Sequence, residues 1–168
     1  MPTTVNLTAR LKLKQTKTIA GTTASVIHDF DFGDLLSNGV IIDQGDLPYG
    51  AKNVSLSGSA TTNFDVSGSL SDFYGTTITA VKLKFFYFKN LNTVAGNTIL
   101  LGAHATTALL LWGAAAHTKR IGPNGFVLMW VPSLAGIAVT AGTGDALKIF
   151  NETANAVNYD IAFVATSA

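Results

Sequence analysis

Asp29, Asp31 and Asp34 stand at i, i+2 and i+5 in Asp29-Phe-Asp31-Phe-Gly-Asp34, the spacing in this chain nearest to a calcium loop. Such a loop also needs a bidentate glutamate at its twelfth position, and none follows here. In an extended backbone the same alternation puts Asp29 and Asp31 on one face and Phe30 and Phe32 on the other, so an acidic strand face is expected rather than a metal site. Asp31-Phe32-Gly33 matches a kinase tripeptide, but the lysine strand and the catalytic loop that give it meaning are missing. His28, His104 and His117 are far apart and never occur as H-x-x-x-H. There is no G-x-S-x-G nucleophile elbow, and Gly142-Thr-Gly144-Asp145 leads into an apolar strand without the lysine of a phosphate loop. Cysteine is absent, which excludes thiolate metal sites, cysteine nucleophiles and disulfides. No catalytic residue, no metal ligand and no cofactor is therefore expected, and the chain reads as a non-enzyme.

What remains is charge and aromatic surface. Arg10, Lys12, Lys14 and Lys17 precede every acid, whereas Asp29, Asp31, Asp34, Asp43 and Asp46 follow without an intervening base. Such an asymmetry suits a basic N-terminal strand or arm, residues 1–20, meeting an acidic surface in its own fold or in a neighbour. Arg10, Lys12, Lys14 and Lys17 are the candidate protein interface. Lys82, Lys84 and Lys89 interleave with Phe85 and Tyr87 as a base-stacking strand would. With a net charge of +1 the electrostatic drive toward nucleic acid is small, and no nucleic-acid partner is expected.

The elements that must carry these residues are strands. Charged residues make up only 12% of the chain, about half the usual share, and helix-favouring Glu and Gln are nearly absent beside abundant Ser, Thr, Val and Gly. Val5, Leu7, Ala9, Leu11 and Leu13 alternate with Asn6, Thr8, Arg10, Lys12 and Lys14, which predicts an N-terminal strand with one basic face. A long central strand is predicted over 77–90. Shorter ones are predicted over 24–32, 54–59, 63–66, 98–101, 109–112, 125–131, 137–139, 146–151 and 156–166. Residues 34–37 and 70–74 each read as a single helical turn, and Asn124-Gly125 as a hairpin. Phe85, Tyr87, Phe126, Trp130, Ile149 and Tyr159 are the expected core. The uncharged stretch between Lys89 and Lys119 raises a membrane span, but His104, Thr106, Thr107, Gly102 and Gly113 interrupt it, so buried strands are expected and no membrane partner. The fold class is all-β, a β-sandwich of jelly-roll type, with about ten short strands and one or two helical turns in one domain, residues 1–168.

Five segments carry a family likeness: Leu70-Ser-Asp-Phe-Tyr-Gly75, Ile78-Thr-Ala-Val-Lys-Leu83, Ile121-Gly-Pro-Asn-Gly-Phe126, the run from Val139 to Asn151, and Val157-Asn-Tyr-Asp-Ile161. Over residues 60–168 the chain resembles small structural proteins of tailed bacteriophages encoded among the head genes, of capsid decoration, cement or head-fibre type. Leu35-Leu36-Ser-Asn-Gly39 is a looser match, and Gly122-Pro123-Asn124-Gly125 stands where the family usually has a proline-glycine-glycine turn. The resemblance implies a virion protein made in the host cytoplasm that binds the major capsid protein or other virion proteins and stabilises or decorates the shell. A homo-oligomer, with a trimer favoured, goes with it. The alternative is a receptor- or glycan-binding fibre or tail module, with Trp112, Trp130, Tyr49 or Tyr74 stacking on sugar rings.

Overall fold

The computed structural model describes the backbone of residues 5–19, 22–72 and 74–168, and the side chains of residues 36–72 and 74–168. Among the described residues there are thirteen strands and no helix. In chain order they are β1 (Val5–Ile19), β2 (Thr22–Leu36), β3 (Leu47–Leu56), β4 (Thr61–Asp65), β5 (Ser67–Ser71), β6 (Thr77–Thr79), β7 (Lys82–Asn90), β8 (Ile99–Gly102), β9 (Thr118–Ile121), β10 (Phe126–Trp130), β11 (Ile137–Ala138), β12 (Ala146–Asn151) and β13 (Val157–Thr166).

Two antiparallel sheets make a β-sandwich. One runs β10-β7-β13-β3, with β11 also on β7, and the other runs β4-β12-β8-β9. Strict alternation in β13 explains the first: Val157, Tyr159, Ile161, Phe163 and Ala165 are buried, while Asn158, Asp160 and Ala162 point the other way. Opposite them lie Phe64, Ile99, Leu101, Ile121, Leu147 and Ile149 of the second sheet, and together they form the main core. Ring packing orders its centre. Phe163 stacks on Tyr49 at 5.2 Å between centroids and meets Phe64 edge-on at 6.0 Å, and Phe88 stacks on Tyr159 at 5.0 Å.

Two buried asparagines close the ends of the sandwich. Asn151 donates through Nδ2 to the carbonyls of Ser57 (2.9 Å) and Asn155 (2.7 Å), while its Oδ1 accepts from the Thr153 N–H (3.0 Å) and hydroxyl (2.8 Å). Asn90 donates to the carbonyls of Asn97 (2.8 Å) and Ile121 (3.2 Å) and accepts from the Asn92 N–H (3.0 Å). Each amide satisfies loop backbone groups that would otherwise be unpaired out of water. Beside the Asn151 loop, Gly58 lies so close to the backbone of Ala154 that a Cβ would come within 1.9 Å of its carbonyl oxygen, so only glycine fits.

Several expectations are corrected. The strand predicted over 77–90 breaks at Ala80 and Val81 into β6 and β7, because Val81 bonds instead to Thr166 and Val139. Residues 34–36 continue β2, and residues 70–71 end β5, so neither predicted helical turn forms. At the second, the Asp72 carboxylate accepts the N–H groups of Tyr74 and Thr76 at 2.8 Å and makes a turn. Asn124-Gly125 does turn, with Asn124 at φ 55, but it passes from β9 in one sheet to β10 in the other and is no hairpin. Residues 109–112 are loop, with Leu109 and Leu111 buried beneath it. No helix among the described residues is long and apolar enough to cross a membrane.

β1 and β2 form a two-stranded sheet of their own. At about 3.3 Å per residue, fifteen-residue strands make this hairpin roughly 50 Å long.

Candidate functional site

The outer face of the β10-β7-β13-β3 sheet carries a second, smaller apolar cluster. A β-bulge creates it. Leu83 and Phe85 stand opposite Ala165 and Val164, so Lys84 is an extra residue in β7 and the side-chain alternation changes phase there. Leu83, Phe86 and Phe88 consequently face the main core, and Phe85 turns outward to join Val164 and Leu36, with Tyr87, Trp130 and Ala162 packed beside them. Lys84 is fully buried, and its ammonium donates to the Ser133 carbonyl, pinning the loop before β11 over the bulge. Burial pushes its pKa down, Lys82 pushes it further, and Asp43 opposes both.

The registers order this outer face into rows. Trp130, Phe85, Val164 and Pro48 form one row, Leu128, Tyr87, Ala162 and Gly50 the next, and Phe126, Lys89 and Asp160 the third. Because Gly50 and Ala162 are small, a groove of about 470 Å³ opens beside Tyr87, lined also by Ala51, Lys52 and Asp160. Its polar rim is built by a second bulge. Tyr159 and Ile161 face Val54 and Ala51, which leaves an extra residue in β3, and Asn53 takes φ 53 there while its N–H donates to Asp160 Oδ1 at 2.8 Å. Burial raises the Tyr87 pKa, and the nearby Asp160 carboxylate raises it further, so the phenol stays protonated as a donor. Apolar rings here stand beside an ammonium, a phenol and a carboxylate, so the surface offers both apolar contact and hydrogen-bonding groups.

Phe126 is 64% exposed, which corrects its assignment to the core, and Phe85, Tyr87 and Trp130 belong to the outer cluster rather than the main one. Ile149 and Tyr159 are in the main core as expected. Of the aromatic residues considered for sugar stacking, Tyr49 and Trp112 pack on the main core, Trp130 meets Phe85 edge-on at 6.3 Å, and Tyr74 stands 83% exposed on its turn. The Phe126, Leu128 and Tyr87 surface was not singled out from sequence. The outward phase of Asp160 and Ala162 was legible there, but their alignment with Gly50 and Tyr87 is a matter of register.

His104 and His117 serve local turns, and the side chain of His28 lies outside the described residues. His104 Nδ1 accepts from the Thr107 N–H at 3.1 Å and lies 3.1 Å from the Thr107 hydroxyl, at the rim of a cavity of about 300 Å³ shared with Thr140 and Thr143. His117 Nδ1 donates to the Trp112 carbonyl at 2.6 Å. No three acidic or histidine side chains among the described residues converge on a metal-sized space. Arg120 grips Glu152 with two bonds of 2.6 Å, and Thr98 adds a third at 3.0 Å. The arginine's bonds, more than any other cause, hold the Glu152 pKa below the usual carboxylate range.

The side chains of Arg10, Lys12, Lys14 and Lys17 lie outside the described residues, but their register positions do not. Arg10 stands opposite Asp31 and Lys12 opposite Asp29, whereas Lys14 faces Ile27 and Lys17 faces Ala24. Two of the four bases thus have an acid across the hairpin, and the distal part, residues 13–28, carries Lys14 and Lys17 with no acid. The chain matches no family model, no curated protein and no solved structure, which leaves its own geometry and charge to carry the functional reading.

Proposed function

We propose that this chain is a non-enzymatic structural protein of a virion, which binds the assembled capsid as a homo-oligomer and decorates or stabilises it. The observation that carries this reading is the β1–β2 hairpin, a roughly 50 Å arm whose strands pair only with each other. An arm of that length reaches another protein surface, and its distal excess of Lys14 and Lys17 suits an acidic one. The sequence resemblance over residues 60–168 supports the virion setting.

The test is co-sedimentation with capsids of the source phage, together with the copy number of the chain in purified particles. A ratio near one to the major capsid protein is expected for decoration. Lys14→Ser with Lys17→Ser should reduce capsid occupancy several-fold, most at low salt, where exposed charges are least screened. Absence from particles overturns the reading.

One observation favours a second reading, a glycan-binding module. The Tyr87 groove offers a phenol, an ammonium and a carboxylate beside the exposed Phe126 and Leu128, as a polyhydroxylated ligand requires. Binding of surface glycans lost in Tyr87→Ala and kept in Tyr74→Ala would establish it.

A further inference from the structure

The edge strands of the two sandwich sheets are not alike. β3 carries Pro48, Lys52 and the bulge at Asn53, β4 ends in Asp65, and β9 holds Lys119 and Arg120, features that keep an edge strand from pairing with another chain. β10 reads Phe-Val-Leu-Met-Trp, without charge, proline, glycine or bulge, and β7 is the only strand it pairs with among the described residues. Its backbone is turned outward at alternate residues. On either side of it the Asn90 N–H donates to the Gly125 carbonyl (2.9 Å) and the Val131 N–H to the Lys84 carbonyl (2.8 Å). Bonded pairs recur at every second residue of an antiparallel ladder, so Val127 and Met129 bond to β7, while Phe126, Leu128 and Trp130 turn their N–H and C=O groups to the open edge. The side chains of these three lie on the outer face, where Phe126 is 64% and Leu128 39% exposed.

We infer that β10 pairs with β10 of a second copy of this chain, antiparallel about a two-fold axis at Leu128, so that two sandwich sheets continue into one across the interface. Leu128 then stands opposite Leu128, and Phe126 opposite Trp130 at either end. These are the residues whose main-chain groups face the edge, so the three pairs exchange about six hydrogen bonds. This pairing gives the homo-oligomer of the proposed function its interface and rests on that part of the reading alone.

Symmetry and charge select a second copy. The outward residues are apolar at equal steps on both sides of Leu128, so the strand complements itself and brings no charge of β10 onto its own image. Exposed Asp43 donates its N–H to the Pro132 carbonyl at 3.1 Å, just past Trp130, whereas Lys89 stands opposite Phe126 at the other end. The axis sets each Trp130 end beside a Phe126 end, so Asp43 of one copy comes to the end that carries Lys89 in the other. Area sets the strength. At about 200 Å² for a whole aromatic side chain, the exposed parts of Phe126, Leu128 and Trp130 with the strand edge come to roughly 400 Å² per copy. Doubled, that is below the about 1,200 Å² of standard interfaces, so the dimer is weak and reversible in solution.

Sedimentation equilibrium of the full chain, from micromolar to millimolar concentration, tests it. The native chain should pass from monomer to dimer. Leu128→Pro removes an outward N–H and leaves the β7 bonds of Val127 and Met129 in place, so it should weaken dimerisation at least ten-fold with the melting transition retained. Tyr74→Ala, on a distant exposed turn, should associate as the native chain does. Mild oxidation gives a second readout, because the chain has no cysteine of its own. At the axis the two Leu128 Cα atoms lie about 5.5 Å apart, within disulfide reach, so Leu128→Cys should form a covalent dimer. The two Phe126 positions are roughly 14 Å apart, so Phe126→Cys should not. A native chain that stays monomeric, whether or not a different protein binds β10, overturns the inference, and so does a trimer. A proline variant that associates normally, or a Phe126→Cys chain that cross-links as readily as Leu128→Cys, also overturns it. If the proline variant loses its melting transition, the cysteine comparison decides. Dimerisation without capsid binding would overturn the virion reading and leave this inference standing.

Discussion

Residues 47–166 and residues 5–36 both build antiparallel sheet, yet their strands find their neighbours by different means. In the sandwich every long strand lies between neighbours or over a facing sheet. Phe163, Phe86 and Ile149 are enclosed, and Asn90 and Asn151 tie the loops. In the hairpin each strand pairs only with the other, and Leu36 at its base is buried against Phe85 and Val164 on the outer face of the sandwich sheet. The contrast teaches that strand pattern alone does not make a core. Burial needs a facing surface, and in the sandwich the two sheets supply it for each other.

The largest break in that contrast should come from Phe163→Ala. It removes a ring held against Tyr49 and Phe64 and should destabilise the sandwich by about 3–5 kcal/mol in urea unfolding, while leaving the hairpin residues untouched. Next is Asn151→Ala, which strands two loop carbonyls out of water. A loss of about 2–3 kcal/mol is expected, and Asn151→Asp should not rescue it because a carboxylate cannot donate.

Alkaline titration sharpens the comparison further. Burial pushes the Tyr159 pKa from 10.0 up to about 12. The unfolded chain then loses its proton first, so this contribution to stability is intact below pH 10 and falls as pH rises toward 12. Melting temperature followed from pH 9 to 12 should show the decline, and Tyr159→Phe should flatten it. The smallest effect is expected from Arg10→Ser with Lys12→Ser, which removes two cross-strand charge positions worth about 0.2–1 kcal/mol each. The sandwich melting transition should not move at all.

Much of the fold was legible because it rests on local pattern. The alternation of residues 157–165 and of 146–151 predicted β13 and β12 within a residue or so, and residues 5–14 and 24–32 were each legible as strand, though neither their full length nor their pairing was. The failures share a cause. At Lys84 a single inserted residue shifts the phase of β7, so Phe86 and Phe88 take the core and Phe85 faces outward. Glycine can mark a bulge in sequence, but β7 has none, so nothing in Lys82–Asn90 announced the extra residue. Phe126 failed similarly: its pattern asks for burial, but β10 is an edge strand and Phe126 lies 64% exposed on it.

The sequence by itself determined that this chain is β-rich, lacks thiols and recognisable catalytic motifs, and begins with a basic strand followed by an acidic one. These properties follow from composition and from a two-residue period, which act over neighbouring residues. Only the tertiary structure decided that Arg10 stands opposite Asp31, that Gly50 and Ala162 open a groove beside Tyr87, and that β1 and β2 pair with each other rather than with a strand of the sandwich. Each of these depends on which residues, far apart in sequence, are brought level with one another, and register is fixed by pairing and packing rather than by any local preference.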